Sequence, residues 1–297
     1  FLGVGAMMDM RPLLSQPVFV LMGAMGHLGI FATMVVAVML GFNLAEATAI
    51  GVIGAIDGPT VIYVGSKLEH LFETPGLAAA VAVTAYSYMS LVPIIQPPLM
   101  RLFTTKRERA VRMEYTPRPV SKTAVILFPI VVTLLAAIFL PQAAPLIATL
   151  MLGNLMKESG VVEGLSRTAQ EAITNTSTLF LGLTIGSMMQ GASFLNLGTL
   201  KVLGLGLVAF ALDTIGGLLF GKFVYLISGR KINPLVGGAA ISAFPMSGRL
   251  AQQVALEVDN QNFILMHALG ANTAGQVASV IAAGVLMAMV FPLLGGP

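Results

Sequence analysis

The sequence predicts an all-α polytopic membrane protein whose helices are broken by glycine and proline. Three observations carry that reading. Hydrophobic residues make up 56% of the chain and charged residues 10%, where a soluble domain carries about 25% charged residues. Apolar runs follow one another along 297 residues, room for roughly eight to ten spans of about 20 residues each. Glycine and proline fall inside those runs, as at Gly54, Gly58 and Pro59, where they interrupt the helical hydrogen-bond ladder and free backbone carbonyls. There are no cysteines, so disulfides, thiolate metal sites and cysteine catalysis are excluded. His27, His70 and His267 lie too far apart for a zinc spacing. The net charge of +3 is no nucleic-acid signal, because the basic residues cluster in one loop.

Taken in order, residues 1–8 read as the tail of an apolar segment without a signal-peptide pattern, and the expectation is that further N-terminal helices precede them. Candidate membrane segments are 17–42, 45–64, 76–103, 124–140, 143–156, 172–195, 202–227, 233–243 and 263–294. Several are too short to span and the last is too long for one plain span, so broken helices and re-entrant hairpins fit better than a simple bundle. The polar stretch 104–122 carries Lys106, Arg107, Arg109, Arg112, Arg118 and Lys122 against Glu108 and Glu114. The positive-inside rule places it in the cytoplasm, where it could also meet an acidic partner or anionic lipid. Counting onward puts 141–145 outside, 157–170 inside, 196–201 outside and 229–231 inside.

Two regions are alike in kind. The first repeat, 17–103, contains the segment 48–64, TAIGVIGAIDGPTVIYV; the second, 198–295, contains 233–250, NPLVGGAAISAFPMSGRL. Residues 104–122 form the loop and 123–196 the intervening helices of what reads as one membrane domain over 1–297. Aligning Ala55-Ile56-Asp57 on Ala240-Ile241-Ser242 brings Pro59 near Pro245 and Lys67 near Arg249. Broken segments at corresponding places in two halves point to a transport site at the bilayer midplane, and inversion of the repeats would bring Asp57 and Ser242 together.

Asp57 is the leading candidate, since a lone carboxylate at membrane depth is costly unless it faces a cavity, a cation or a partner. A buried carboxylate without a cation favours its neutral form, so exchange of sodium for a proton at one site is chemically natural. Ser242 supplies a hydroxyl for sodium or a proton. Asn233, before Pro234, is a turn or cap that also places an amide near a helix N-terminus. Arg249 either snorkels or clamps a carboxylate. Tyr86 and Tyr88 are deep enough in their span to line a polar cavity, and Gln96 could fill carbonyls freed by Pro97 and Pro98. Asn272 and Gln276 share a helix face suited to interhelical hydrogen bonds. Asn154 reads as packing, and Asp213 has no assigned role.

The runs GVGAMMDMRPLL, GAIDGPTVIY, AYSYMSLVPIIQPPLMR, LGNLMKESGVVE, NPLVGGAAISAFPMSGR and NFILMHALGANTAGQ together resemble the β subunits of the sodium-pumping biotin-dependent decarboxylases, those acting on oxaloacetate, methylmalonyl-CoA and glutaconyl-CoA. The resemblance implies a membrane subunit that decarboxylates carboxybiotin and couples this to sodium export with proton consumption. It implies an inverted-repeat, elevator-type fold in the bacterial cytoplasmic membrane, with sodium as cargo and with biotin carried on a partner. Partners would be a soluble carboxyltransferase subunit with a biotin carrier domain, a small γ subunit and two further β copies. Asp57, Tyr88, Ser242 and Arg249 correspond to the family's functional positions in catalysis; Asn233 and Arg249 would meet carboxybiotin; Asp57, Ser242, Asn233 and Gly237 would meet sodium. His27 and Gly164 stand where the family pattern has Gln and Arg, and ANTAGQ leans toward an acyl-CoA decarboxylase. From the residues alone, a sodium-coupled secondary transporter without chemistry remains the alternative.

Overall fold

The computed structural model describes residues 1–74, 76–114, 119–188 and 197–295. Residues 189–195 of the expected segment 172–195, Asn196 of the outer turn, and Arg118 of the basic loop lie outside that description. Among the described residues the chain is all-helical. Leu2–Met7 (α1) and Arg11–Ser15 (α2) lead into Val18–Met25 (α3) and Leu28–Met39 (α4), one span interrupted at Gly26-His27. Leu44–Val52 (α5), a 3-10 turn at Ile53–Ala55 and Gly58–Phe72 (α6) follow, then Leu77–Phe103 (α7) and Lys106–Arg109 (α8). Lys122–Phe139 (α9) and Ala144–Ser159 (α10) form a hairpin, and Glu163–Thr168 (α11) and Thr174–Met188 (α12) continue from it. The last elements are Leu197–Ile227 (α13), Leu235–Gly238 (α14), Met246–Leu256 (α15) and Leu265–Leu293 (α16). Among the described residues five spans are long and apolar enough to cross a bilayer: α3 with α4, α7, α9, α13 and α16. This is a multi-pass membrane protein.

Local chemistry sets the breaks. Asn43 and Glu46 form a reciprocal capping box that starts α5, with Glu46 N–H donating to Asn43 Oδ1 at 2.8 Å. α6 starts on Gly58-Pro59, where proline gives up an amide hydrogen that would have no partner anyway. Three expectations are corrected. Pro93, Pro97 and Pro98 do not break α7, which runs unbroken for 27 residues; neighbouring helices satisfy freed groups in a membrane protein. Gln96 does not fill the carbonyls those prolines free: its amide donates to the Gly238 carbonyl at 2.9 Å and to Ser247 Oγ at 2.6 Å. Nor is 263–294 interrupted: α16 is one helix of 29 residues, about 44 Å long, enough to cross the bilayer with its headgroups.

α7, α13 and α16 surround the broken segments, α7 packing on α13 and α16 on α3 and α15. α9 leaves Val131, Leu134, Leu135, Ile138 and Phe139 exposed, as a lipid-facing helix does. α13 meets α14 along a glycine seam: a Cβ on Gly217 or on Gly237 would strike the other's carbonyl oxygen, and one on Gly221 would strike that of Pro234. One end of the molecule is tied together by polar contacts. The Asn233 and Asn262 amides both donate to the Arg109 and Val111 carbonyls, at 2.8–3.1 Å. Lys222 donates to the Phe103 carbonyl, and Arg101 and Arg112 pair with Glu257 and Asp259.

Candidate functional site

The first break is a strained corner. α5 tightens into the 3-10 turn, Ile56 then takes φ 51°, ψ 39°, and Asp57 returns to extended backbone before α6. A β-branched residue in the left-handed region is a conformational outlier held by its surroundings. Ile56 is held in a small buried cluster with Val92, Phe210, Ile241 and Leu250. The corner turns Asp57 inward, where it is buried. Its Oδ2 accepts three hydrogen bonds: from Thr60 Oγ1 at 2.7 Å, Gln276 Nε2 at 2.9 Å and Ser279 Oγ at 3.2 Å. All three donors are neutral, and among the described residues no basic side chain pairs with Asp57. The Tyr86 ring covers Gly58 so closely that a Cβ there would run into it. Beside them opens a cavity of about 550 Å³ lined by Pro59, Tyr63, Lys67, His70 and Tyr86.

The second break is backbone. α14 ends at Gly238, residues 239–245 leave the helix, and α15 begins at Met246. The Ser242 hydroxyl donates to the Ala55 carbonyl, so the two breaks touch two residues before Asp57. The Ile241 carbonyl accepts from Asn272 Nδ2 at 2.6 Å. Asn272, Gln276 and Ser279 repeat at i, i+4, i+7 on one face of α16. A single unbroken helix thus holds both breaks, the second through Asn272 and the first through Gln276 and Ser279.

Other expected residues lie elsewhere in the arrangement. Asn233 is buried with its amide on the Arg109 and Val111 carbonyls and its Oδ1 accepting from Leu235 N–H at 3.0 Å. Gly237 forms the seam with α13. The Tyr88 hydroxyl donates to the Leu203 carbonyl at 2.6 Å, so the tyrosine against the first break is Tyr86, two residues earlier. Arg249 is exposed and carries no ion pair among the described residues. Asn154 donates to the Met8 carbonyl at 3.1 Å, between α10 and the segment after α1. Thr60 and Ser279 were not anticipated. The spacing of Ser279 from Asn272 and Gln276 was the available signal, masked by the many small residues of α16.

One carboxylate with hydroxyl, amide and carbonyl oxygens suits a monovalent cation. No group of three His, Asp or Glu side chains converges among the described residues, as a transition-metal centre would require.

A family model described as the Na+-transporting oxaloacetate decarboxylase beta subunit matches residues 1–290. The chain is 50% identical to methylmalonyl-CoA decarboxylase subunit beta of Veillonella parvula, over 97% of this chain and 76% of that protein. It is 50% identical to the oxaloacetate decarboxylase beta chain of Klebsiella pneumoniae, over 99% of this chain and 68% of that one. With glutaconyl-CoA decarboxylase subunit beta of Acidaminococcus fermentans it shares 49% identity over 98% of this chain and 76% of that one. The near-equal identities give the lean toward an acyl-CoA decarboxylase no support.

Proposed function

The chain belongs to the Na+-transporting oxaloacetate decarboxylase beta-subunit family, and from that membership we propose that it is the membrane subunit of a sodium pump driven by decarboxylation of carboxybiotin. The observation that carries the proposal is Asp57: a buried carboxylate at a strained corner, oriented by three neutral donors and, among the described residues, unmatched by any basic side chain. A cation completes such a group better than any other partner.

In this reading sodium binds Asp57 through Oδ1, because the three donors hold Oδ2. Ser242 and carbonyls of the second break complete the ligands, which the contact of Ser242 with Ala55 puts within reach. Asn233 and Gly237 hold the second segment in place, one on the basic loop and the other on α13, in preference to touching the ion. Carboxybiotin, on the carrier domain of a soluble carboxyltransferase subunit, approaches from the cytoplasmic end, where exposed Arg249 orients its carboxylate through a guanidinium fork. Loss of carbon dioxide leaves a biotin nitrogen that takes up a proton. Tyr86 stands nearer Asp57 than Tyr88 does, so the relay tyrosine is Tyr86, and Tyr88 braces α7 on α13. Release of carbon dioxide biases the protein between inward and outward states through their different sodium affinities. The finer architecture, an elevator of inverted repeats 17–103 and 198–295 assembled as a trimer with a small γ subunit in the bacterial cytoplasmic membrane, belongs to the same proposal. So does the assignment of 104–122 to the cytoplasm. The secondary-transporter alternative is not favoured, since the relatives named above are decarboxylase subunits.

The test is carbon dioxide release from carboxylated biotin carrier by the intact complex, in sodium against potassium. Sodium-dependent release that is lost in Asp57→Asn is the expected result. Sodium-dependent release retained in that variant overturns the assignment of Asp57. Sodium flux without release in either salt overturns the decarboxylase reading.

A further inference from the structure

A second carboxylate bears on the first break. Asp213, midway along α13, is fully buried. Its Oδ1 accepts from the Gly29 N–H at 2.6 Å, in the first turn of α4, where unpaired amides carry partial positive charge. Its Oδ2 has no partner at ordinary hydrogen-bond geometry, the Ile30 amide being the next backbone donor to the carboxyl group, and it faces the 3-10 turn of the break. Both flanks are glycine by necessity: a Cβ on Gly29 would lie 2.6 Å from Oδ1, and one on Gly54 would lie 2.7 Å from Oδ2. The carboxyl group is therefore wedged between the half-helix α4 and the segment that ends in Asp57.

Among the described residues no ionised side chain pairs with it. Helix α4 and the turn 53–55 carry no titratable side chain. On α13 itself Lys201, Lys222 and Tyr225 lie nine or more residues away, about 13 Å along the helix. His27, just before α4, turns its Nδ1 to the Gly23 carbonyl at 2.7 Å, and Glu46 sits in the first turn of α5. Tyr88, on α7, is bonded to the Leu203 carbonyl. Two carboxylates, Asp57 and Asp213, thus bear on one five-residue stretch without a basic partner, a costly arrangement at membrane depth if both are ionised and no cation is bound. Against Gly54 there is contact distance and no ring of oxygen ligands, so Oδ2 suits a proton and not a second metal ion.

We propose that Asp213 is the proton-binding carboxyl of the pump: Oδ2 takes up a proton from water as sodium leaves Asp57 and gives it back as sodium binds. The inference rests on the sodium-pump reading above. The step forms one O–H bond and breaks none within the protein. The pair keeps the same net charge in both states, so the break moves without a change in its electrostatic cost. Because the proton and the sodium occupy different carboxyl groups, either can be removed by mutation without deleting the other's ligand.

The experiment titrates the purified intact complex with sodium chloride in weak buffer and reads proton release with a pH indicator, potassium chloride serving as control. Wild type is expected to release up to about one proton per sodium bound, with apparent sodium affinity falling by up to about tenfold per pH unit in acid. Asp213→Asn, which keeps an oxygen for the Gly29 amide, is expected to bind sodium without releasing protons and with that pH dependence gone. Release unchanged in Asp213→Asn overturns the proposal and assigns the proton to Asp57. No sodium response in wild type overturns the pump reading itself. Infrared difference spectra, sodium-free minus sodium-bound, of wild type and Asp213→Glu guard against a variant that does not assemble. A protonated-carboxyl band that shifts in Asp213→Glu supports Asp213; no band in wild type, or one that does not move in Asp213→Glu, overturns the assignment.

Discussion

The two breaks do the same mechanical thing with opposite chemistry. At the first, the chain stops its helix in order to present a side-chain charge, and the groups that meet Asp57 are side chains from α6 and α16. At the second, the chain stops its helix in order to present carbonyls, and amides of Gln96 and Asn272 meet Gly238 and Ile241. The first break is held from the charge outward. The second is held by neutral amide–carbonyl bonds at Gly238 and Ile241. On the proposed sodium reading the first break supplies the charged ligand, and the second supplies neutral oxygens from a segment fixed by those bonds.

The largest effect expected from breaking this contrast is at the charge. Asp57→Asn should lower apparent sodium affinity by at least about a hundredfold, because on the proposed reading it deletes the ionised ligand; sodium titration of carbon dioxide release reads it. Next come the donors that orient it. Gln276→Ala and Ser279→Ala should each weaken sodium activation by about tenfold and leave the melting temperature of the complex nearly unchanged. Equal loss of stability in these variants would show that both breaks are structural. Asn272→Ala should do the reverse: it leaves the buried Ile241 carbonyl unpaired and costs about 1 kcal/mol of stability, with sodium affinity changed less than in Gln276→Ala. Thermal unfolding alongside sodium titration separates the two classes.

The smallest effect lies at the end of the molecule, away from both breaks. A hydrogen bond from Arg101 holds the Glu257 carboxyl below its usual range. The stability it adds is present above the unfolded-state pKa and is lost as pH falls through the lower folded value. The pair is largely exposed, so Glu257→Gln should cost at most about 0.5 kcal/mol. Melting temperatures of wild type and variant should differ slightly at pH 7 and converge below about pH 4.

The sequence made the charge of the first break legible and left its surroundings hidden, for physical reasons. Asp57 stands out because charge is rare in an apolar run. The contact between breaks was foreshadowed by aligning Asp57 on Ser242. Ser279 was not legible because its partner is 222 residues away and one serine in a stripe of small residues has many uses. Tyr86 and Tyr88 differ by two residues, a rotation of about 200° on a helix, so they fall on opposite faces, and the sequence does not say which one lies against Gly58. The prolines of α7 misled because a freed carbonyl is costly in lipid but cheap where another helix covers it. Pro59, by contrast, coincides with a helix start.

The left-handed corner at Ile56 has a consequence for anyone redesigning this protein. A procedure that scores each position by backbone angle alone would write glycine there, since glycine takes φ 51° without steric penalty. It would thereby remove the side chain that anchors the corner between Val92, Phe210 and Ile241, losing about 2–5 kcal/mol of burial against a gain of about 1 kcal/mol in backbone ease. The same exchange would loosen the corner that aims Asp57, so an automated stabilisation pass restricted to torsion statistics would disturb the proposed cation site at a buried residue where conformation and packing disagree. Isoleucine at this position is an instruction about aim, written in a residue that carries no chemistry of its own.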